Sequence, residues 1–313
     1  MKRALVLGAS GGMGFSIVRE LLERGIKVTA FARTKAKLEK LYGKEQNVTI
    51  FTGDIFQVED LKKAAYDVDV IFQSANIPYP EWEEKLELFM RNILIAAREN
   101  GAKLAVVDNI YAYGRSGGKM VTEEFPKNPH TKKGRIRLNV ENLIKQSDVE
   151  ALIAHFPDFY GPNAESSLLY YTLDGIVKGK RAGYVGNQEM KREFIFTPDG
   201  AKAIVNLAID EGSYGQNWNI PAYGTISGNE LIEISRQLTG YAKGVSTISK
   251  NMIRFLGLFN PMMREAVEMF YLNEEPVVLD GSKYEKVFGE VPRTSYQEGL
   301  RQTIEYMRNN ENK

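Results

Sequence analysis

Three glycines at fixed spacing limit what this chain can fold into more than any other feature. Gly8-x-x-Gly11-x-x-Gly14 follows an apolar run at 4–7 and precedes residues 15–25. There, apolar side chains at 17, 18, 21 and 22 trace one helical face, and Gly25 ends it. The order is strand, glycine turn, helix. Glycine lets the backbone turn tightly and come close to an anion, while the N–H groups and positive end of the helix hold that anion. Gly8, Ser10, Gly11, Gly12, Met13 and Gly14 are therefore the expected contacts to a dinucleotide pyrophosphate. The strand before and the helix after separate this turn from an ordinary glycine-rich loop.

The second strand, at 27–32, runs into Arg33-Thr34-Lys35-Ala36-Lys37, with no acid until Glu39. An NAD site would place a carboxylate there for the ribose 2′-hydroxyl. Cations suit a 2′-phosphate instead, with Arg33 binding it in a bidentate fashion and Lys37 nearby, so NADP(H) is expected in preference to NAD(H). A solvated, basic helix start is the other reading. Further strands are expected at 48–51, 68–72, 103–107 and 151–156, and a helix at 82–99 with apolar positions at 82, 86, 89, 90, 93 and 97. Strands alternating with helices predict an α/β fold with a doubly wound parallel sheet and a ligand across the carboxyl ends of its strands.

Composition removes several function classes. A net charge of +1 gives no bulk attraction to nucleic acid or anionic membrane. The chain has no cysteine and two histidines, His130 and His155, so thiolate chemistry and a histidine metal centre are not expected. No apolar stretch reaches the ~18 residues of a membrane span, and the N-terminal run is too short for a secretion signal. A cytoplasmic protein acting on a small molecule is the expectation.

The glycine turn, the Gly53-Asp54 step and the Tyr113-Gly114 pair resemble the extended short-chain dehydrogenase/reductases, the NAD-dependent epimerase/dehydratase group. The second half is similar too, in Asp158-Phe159-Tyr160-Gly161-Pro162-Asn163, in 192–199 and in Pro292-Arg293-Thr294-Ser295 before an amphipathic last helix. The resemblance implies a Rossmann domain at 1–159 plus about 194–223, and a smaller substrate-binding lobe from 160–193 and 224–313. It implies that Asp54, with Ile55 beside it, faces the adenine, and that Ser74, Ala75 and Asn76 line the ribose and nicotinamide side. It also implies substrate contacts from Tyr113, Tyr160 and Arg192, and pairing of helices near 82–99 and 134–146 across a homodimer.

The departure from that group is chemical. Its reaction uses a Tyr that exchanges a proton with the substrate, a Lys four residues later, and a Ser or Thr on the substrate oxygen. Those positions fall on Lys133, Arg137 and Asn109, and none of the 16 tyrosines has Lys four residues on. Lys133-Gly134-Arg135-Ile136-Arg137 resembles an atypical branch with a K-G-x-x-R pattern. Arg137 is suited to holding the ribose and cannot act as a base. Lys133 reads either as a proton donor or as a surface helix start. Tyr111 is the substitute acid, Asn109 a donor to a carbonyl oxygen, and Asp108 the residue that orients it.

Other residues have a plainer reading beside the functional one. Tyr113 reads first as packing, and His155, on the sixth strand, as a hydrogen-bonded structural histidine. Lys191 and Arg192 read equally as an anion grip or a solvated pair. The Met-rich stretch 252–263 reads as core, or else as a lid over an apolar substrate. Three activities remain open: an NADP(H)-dependent oxidoreductase on a small carbonyl or hydroxyl substrate, a nucleotide-sugar epimerase or dehydratase, and a non-catalytic NADP(H) sensor.

Overall fold

A computed structural model describes residues 1–311. The first strand, β1 (Arg3–Leu7), alternates its side chains between two faces, as a strand must. Ala4 and Val6 enter one hydrophobic core, Leu5 and Leu7 another. A strand with two apolar faces has to be covered on both sides, and the chain does this with alternating helices. After α1 (Gly12–Glu23) come β2 (Lys27–Ala32), α2 (Lys35–Tyr42), β3 (Val48–Thr52), α3 (Val58–Ala64) and β4 (Val70–Gln73). Then follow α4 (Trp82–Asn100), β5 (Lys103–Asn109), the short β6 (Met120–Val121), α5 (Lys132–Lys145) and the fully buried β7 (Ala151–Phe156). The strands lie within two residues of their expected positions. The fourth starts later than expected because Val68 and Asp69 lie in the turn after Asp67, whose φ is +57°.

The second half supplies β8 (Asp158–Tyr160), α6 (Leu168–Val177), β9 (Ala182–Val185), β10 (Lys191–Phe196) and α7 (Thr197–Ile209). It continues with β11 (Asn217–Asn219), β12 (Thr225–Ser227), α8 (Gly228–Thr239), β13 (Val245–Ile248), α9 (Lys250–Leu256) and α10 (Pro261–Ala266). The chain ends with α11 (Tyr271–Glu274), β14 (Val278–Leu279), α12 (Ser282–Phe288) and α13 (Tyr296–Glu311).

Seven strands form one parallel sheet in the order β11-β7-β5-β4-β1-β2-β3. The order reverses between β1 and β4, and a crevice opens at such a switch point above the carboxyl ends of the strands. Helices α1 and α7 cover one face through Ile17, Leu21, Ile204 and Leu207. Helices α3 and α4 cover the other through Leu61, Leu86, Phe89 and Ile93. A third core, with Leu169, Leu173, Phe194 and Leu300, holds the smaller lobe around the sheet β12-β10-β8.

Two expectations change. Helix α12, assigned by sequence to the lobe, turns back onto the Rossmann core, where Tyr284 and Val291 are buried. The Tyr284 hydroxyl accepts a hydrogen bond from Asn206 Nδ2 of α7 at 2.8 Å. The stretch 252–263, read first as core, is instead an exposed helical hairpin (α9, turn, α10) in which only Ile253 and Gly257 are buried. Helix α4 packs on α5 within the same chain, and its outward side chains include Glu83, Glu84, Glu87, Leu88, Arg91 and Arg98. Among the described residues, no helix is long and apolar enough to cross a membrane.

Candidate active site

At the switch point the glycine turn touches the end of β4. A Cβ on Gly8, whose φ is +81°, would lie 2.6 Å from Ala75 Cα, and a Cβ on Gly14 would lie 2.2 Å from Gly8 O. These two glycines are required by the chain's own packing. Gly11 differs: a Cβ there would meet only Gly8 O, at 3.5 Å, and the residue is exposed. The space above Gly11 is thus open toward the start of α1, where no side chain caps the helix and no acid lies in the first turn. The N–H groups of the first turn have no intrahelical acceptor, so this is a fitting cradle for a pyrophosphate. Met13 contributes backbone only, because its side chain is buried against Gly200. Ser10 O accepts from Asn163 Nδ2 at 3.1 Å, which ties the loop after β8 to the turn.

Along the rim of the crevice, Arg33 is exposed just past β2, and among the described residues no ion pair engages it. Lys37 of α2 pairs with Glu165 at 2.9 Å, which ties α2 to the same loop after β8. Asp54 is half-buried, with its carboxylate accepting from Phe56 N at 3.0 Å, and Ile55 is buried behind it. Ser74 is turned toward the turn: its hydroxyl donates to Leu7 O at 2.7 Å and lies against Gly14. Ala75 is pinned by Gln73, whose side-chain amide bonds both its N–H and its carbonyl. Asn76 is exposed, and its Oδ1 accepts from Ile77 N at 3.0 Å and Arg137 Nη2 at 3.3 Å.

Beside this crevice the fold gathers Tyr79, Trp82, Tyr111, Lys133 and Arg137. The Tyr79 and Tyr111 hydroxyls are 2.7 Å apart. Trp82 meets Tyr79 edge-on at 5.0 Å and lies 6.2 Å from Tyr111. The Arg137 guanidinium lies 4.3 Å over the Trp82 ring, a contact worth up to ~2 kcal/mol when desolvated. It also pairs with Asp108 at 3.3 Å, and its Nε, though buried, has no partner. Burial raises the phenol pKa of both tyrosines, Tyr111 well above the usual value; the bond from Tyr111 offsets part of the rise at Tyr79. Asp158 adds to the rise at both. The pair is neutral throughout the physiological range.

Four expectations need correction. Lys133 is no surface residue: it is 1% exposed, paired with Glu265 and with Glu268 at 3.4 Å, and covered by the root of the α9–α10 hairpin. Tyr160 is buried against Phe196 and Tyr296 in the lobe core, too deep for substrate. Tyr113 is equally buried and donates to Asn219 Oδ1 at 2.7 Å, which is the packing role. Arg192 is neither an anion grip nor a solvated residue; it is buried and bound by Asp158 and Asn273. Asn109 caps the 3-10 turn Ile110–Tyr113, its Oδ1 accepting from Tyr111 N at 3.0 Å, and Asp108 accepts from Asn109 N at 2.8 Å.

Below Asn109 lies a buried charge cluster that the sequence reading missed. Asp108, Glu141 and His155 place ligand-type atoms within 4.8 Å of one another. The chain's own cations already serve them: Lys127 bonds Glu141 and lies 2.9 Å from His155 Nε2, and Arg137 pairs with Asp108. A carbonyl can only accept and an ammonium only donate, so neutral His155 donates from Nδ1 to Asn109 O and accepts at Nε2 from Lys127. Burial lowers its pKa. Burial also works against the Glu141 charge, but the cations Lys127 and Lys145 beside it outweigh burial and hold the carboxyl below its usual range. Only Asp108 and His155 drew notice in the sequence, since Lys127 and Glu141 belong to no pattern there.

The sheet and its glycine crevice define a Rossmann-type nucleotide-binding protein. Residues 8–168 match the family described as NAD(P)H-binding. Relatives include the UDP-N-acetyl-alpha-D-glucosaminuronate decarboxylase of Bacillus cytotoxicus, 23% identical over 99% of both chains. The photosystem II assembly factor Ycf39 of Synechocystis is 22% identical over 82% of this chain and 74% of its own. Among solved structures, a dTDP-glucose 4,6-dehydratase from Bacillus anthracis in complex with NAD superposes with a TM-score of 0.81 at 18% identity, covering 100% of this chain and 98% of that one. The chain belongs to the NAD(P)H-binding family.

Proposed function

We propose that this protein binds NADP(H) and reduces the carbonyl group of a small substrate, with Tyr111 as the proton donor. The hydrogen-bonded Tyr79–Tyr111 pair carries the reading: a neutral phenol at the carboxyl end of β5, beside the crevice. When bound, NADPH supplies the hydride to the carbonyl carbon. Tyr111 gives its proton to the carbonyl oxygen, and Tyr79, hydrogen-bonded behind it, stabilises the phenolate until solvent restores the proton. The raised phenol pKa keeps Tyr111 protonated, as a proton donor must be. Asn109 Nδ2 assists as a donor to the same oxygen, while Arg137, held by Asp108 and Trp82, faces the nicotinamide ribose. Lys133, held by two carboxylates, keeps the aromatic wall in place.

A nucleotide-sugar epimerase or dehydratase is the second reading, favoured by relatives of that kind matching the full length of the chain. Burial of Arg192 against Asp158 weighs against it, because this arginine does not reach a substrate phosphate or carboxylate. A non-catalytic NADP(H) sensor is the third.

Calorimetric titration with NADPH, NADH and their oxidised forms tests the binding. NADPH should bind more tightly than NADH, and Arg33→Asp should weaken NADPH about tenfold or more while sparing NADH. Absorbance at 340 nm with a panel of aldehydes and ketones tests the chemistry. No affinity for any dinucleotide would end the reading, and NADPH binding without turnover of any carbonyl would leave the sensor. Sedimentation velocity tests whether α4 and α5 also pair two copies.

A further inference from the structure

The hairpin of α9 and α10 is the least covered part of the molecule. Phe255, Leu258 and Phe259 are 63%, 71% and 79% exposed, and Met252, Leu256 and Met262 are exposed beside them. Exposure rises toward the turn at Leu258 and Phe259, so the apolar surface is the apex of a projection, and the Phe255 and Phe259 rings touch at its tip, 5.9 Å apart. A contiguous apolar patch of this kind marks an interaction site, not ordinary surface.

Its charge is equally one-sided. Residues 240–264 contain Lys243, Lys250, Arg254 and Arg264 and no acid, in a chain of net charge +1. Lys250 pairs with Glu274, whereas Arg254 and Arg264 are exposed on either side of the apex and, among the described residues, no ion pair engages them. Nearby acids are already engaged: Glu265 by Lys133, Glu268 by the backbone N–H groups of Lys132 and Lys133, and Glu275 by Arg115. An apolar wedge with cations at its shoulders matches a surface that is greasy inside and anionic at its boundary.

We infer that the α9–α10 hairpin docks this protein on an anionic lipid surface, with Phe255, Leu258 and Phe259 entering the acyl boundary and Arg254 and Arg264 meeting the headgroups. The cations beside the apolar apex, with the nearby acids already paired, favour an anionic lipid surface as the occupant over a second copy of this chain. The root of the hairpin covers Lys133, so docking brings the lipid boundary close to the candidate active site. The inference does not depend on the dinucleotide chemistry, since its readout is lipid binding alone.

Flotation of the full-length protein with vesicles of phosphatidylcholine, and of phosphatidylcholine with 30% phosphatidylglycerol by design, tests it. Binding is expected to the anionic vesicles, to fall with added salt, and to drop by about tenfold or more in Phe255→Ser/Phe259→Ser. Arg254→Glu/Arg264→Glu should abolish the preference for anionic lipid, with unchanged melting temperature in both variants because these side chains are exposed. No flotation with either vesicle, or flotation unaffected by both double substitutions, would overturn the inference. So would a concentration-dependent dimer that Phe255→Ser/Phe259→Ser dissociates, since the apex would then be covered by a second copy.

Discussion

Glu193 offers a test of how the lobe is held on the Rossmann domain. It lies buried on β10 and accepts backbone hydrogen bonds from Ala222 N at 3.2 Å and Leu279 N at 2.9 Å. Three chain segments that frame the crevice thus meet on one carboxylate. Burial raises its pKa to about 7 from 4.5, despite the two N–H donors, which lower it. A carboxyl whose pKa is higher folded than unfolded binds more protons in the native state between those values. It is therefore least costly below pH 4.5, and its burial subtracts stability as pH rises through 7. With these two values the loss between pH 5 and pH 8 is roughly 2–3 kcal/mol. For a chain of this size that lowers the melting temperature by roughly 4 °C. Glu193→Gln does not ionise, so its melting temperature should lack this component of the fall. The assay is thermal unfolding by circular dichroism in matched buffers from pH 5 to 8. Parallel pH profiles for the wild type and the Gln variant would refute the reasoning.

Other substitutions separate structure from site. Gly11→Ala should weaken dinucleotide binding at least about tenfold in calorimetry while changing stability by less than about 1 kcal/mol, because the new Cβ meets only the ligand space. Gly14→Ala should unfold the protein more readily, since its Cβ must displace Gly8 O, and equal melting temperatures would contradict the assignment. Tyr111→Phe should lower kcat for carbonyl reduction by about 10²–10⁴ with little change in NADPH affinity, and Tyr79→Phe by less. Glu141→Leu should cost about 3–5 kcal/mol in urea unfolding, because Lys127 and Asn217 lose their buried partner.

The Rossmann half was legible in the sequence because its signals are local. Apolar strands, helical stripes and a glycine spacing each act over a few residues, and β2 and β7 fall on their expected ranges. The glycine turn, Arg33 and the substitutions at Asn109, Lys133 and Arg137 were readable for the same reason. What those substituted residues touch was not readable. Lys133 meets Glu265 and Glu268 more than 130 positions on, and Tyr111 meets Tyr79 across the crevice.

The same limit explains the errors. Arg192 and Tyr160 match a family pattern, but their contacts with Asp158, Asn273 and Tyr296 come from strands and helices that meet only after folding. The apolar stretch 252–263 carries a composition typical of core, yet folding leaves Phe255, Leu258 and Phe259 at its apex exposed. Sequence alone determined that a parallel sheet ends in an anion-binding turn, since backbone conformation and hydrophobic period are properties of short segments. Tertiary structure decided which polar groups are desolvated and paired, because the free energy of a buried charge depends on neighbours that the chain brings from far away.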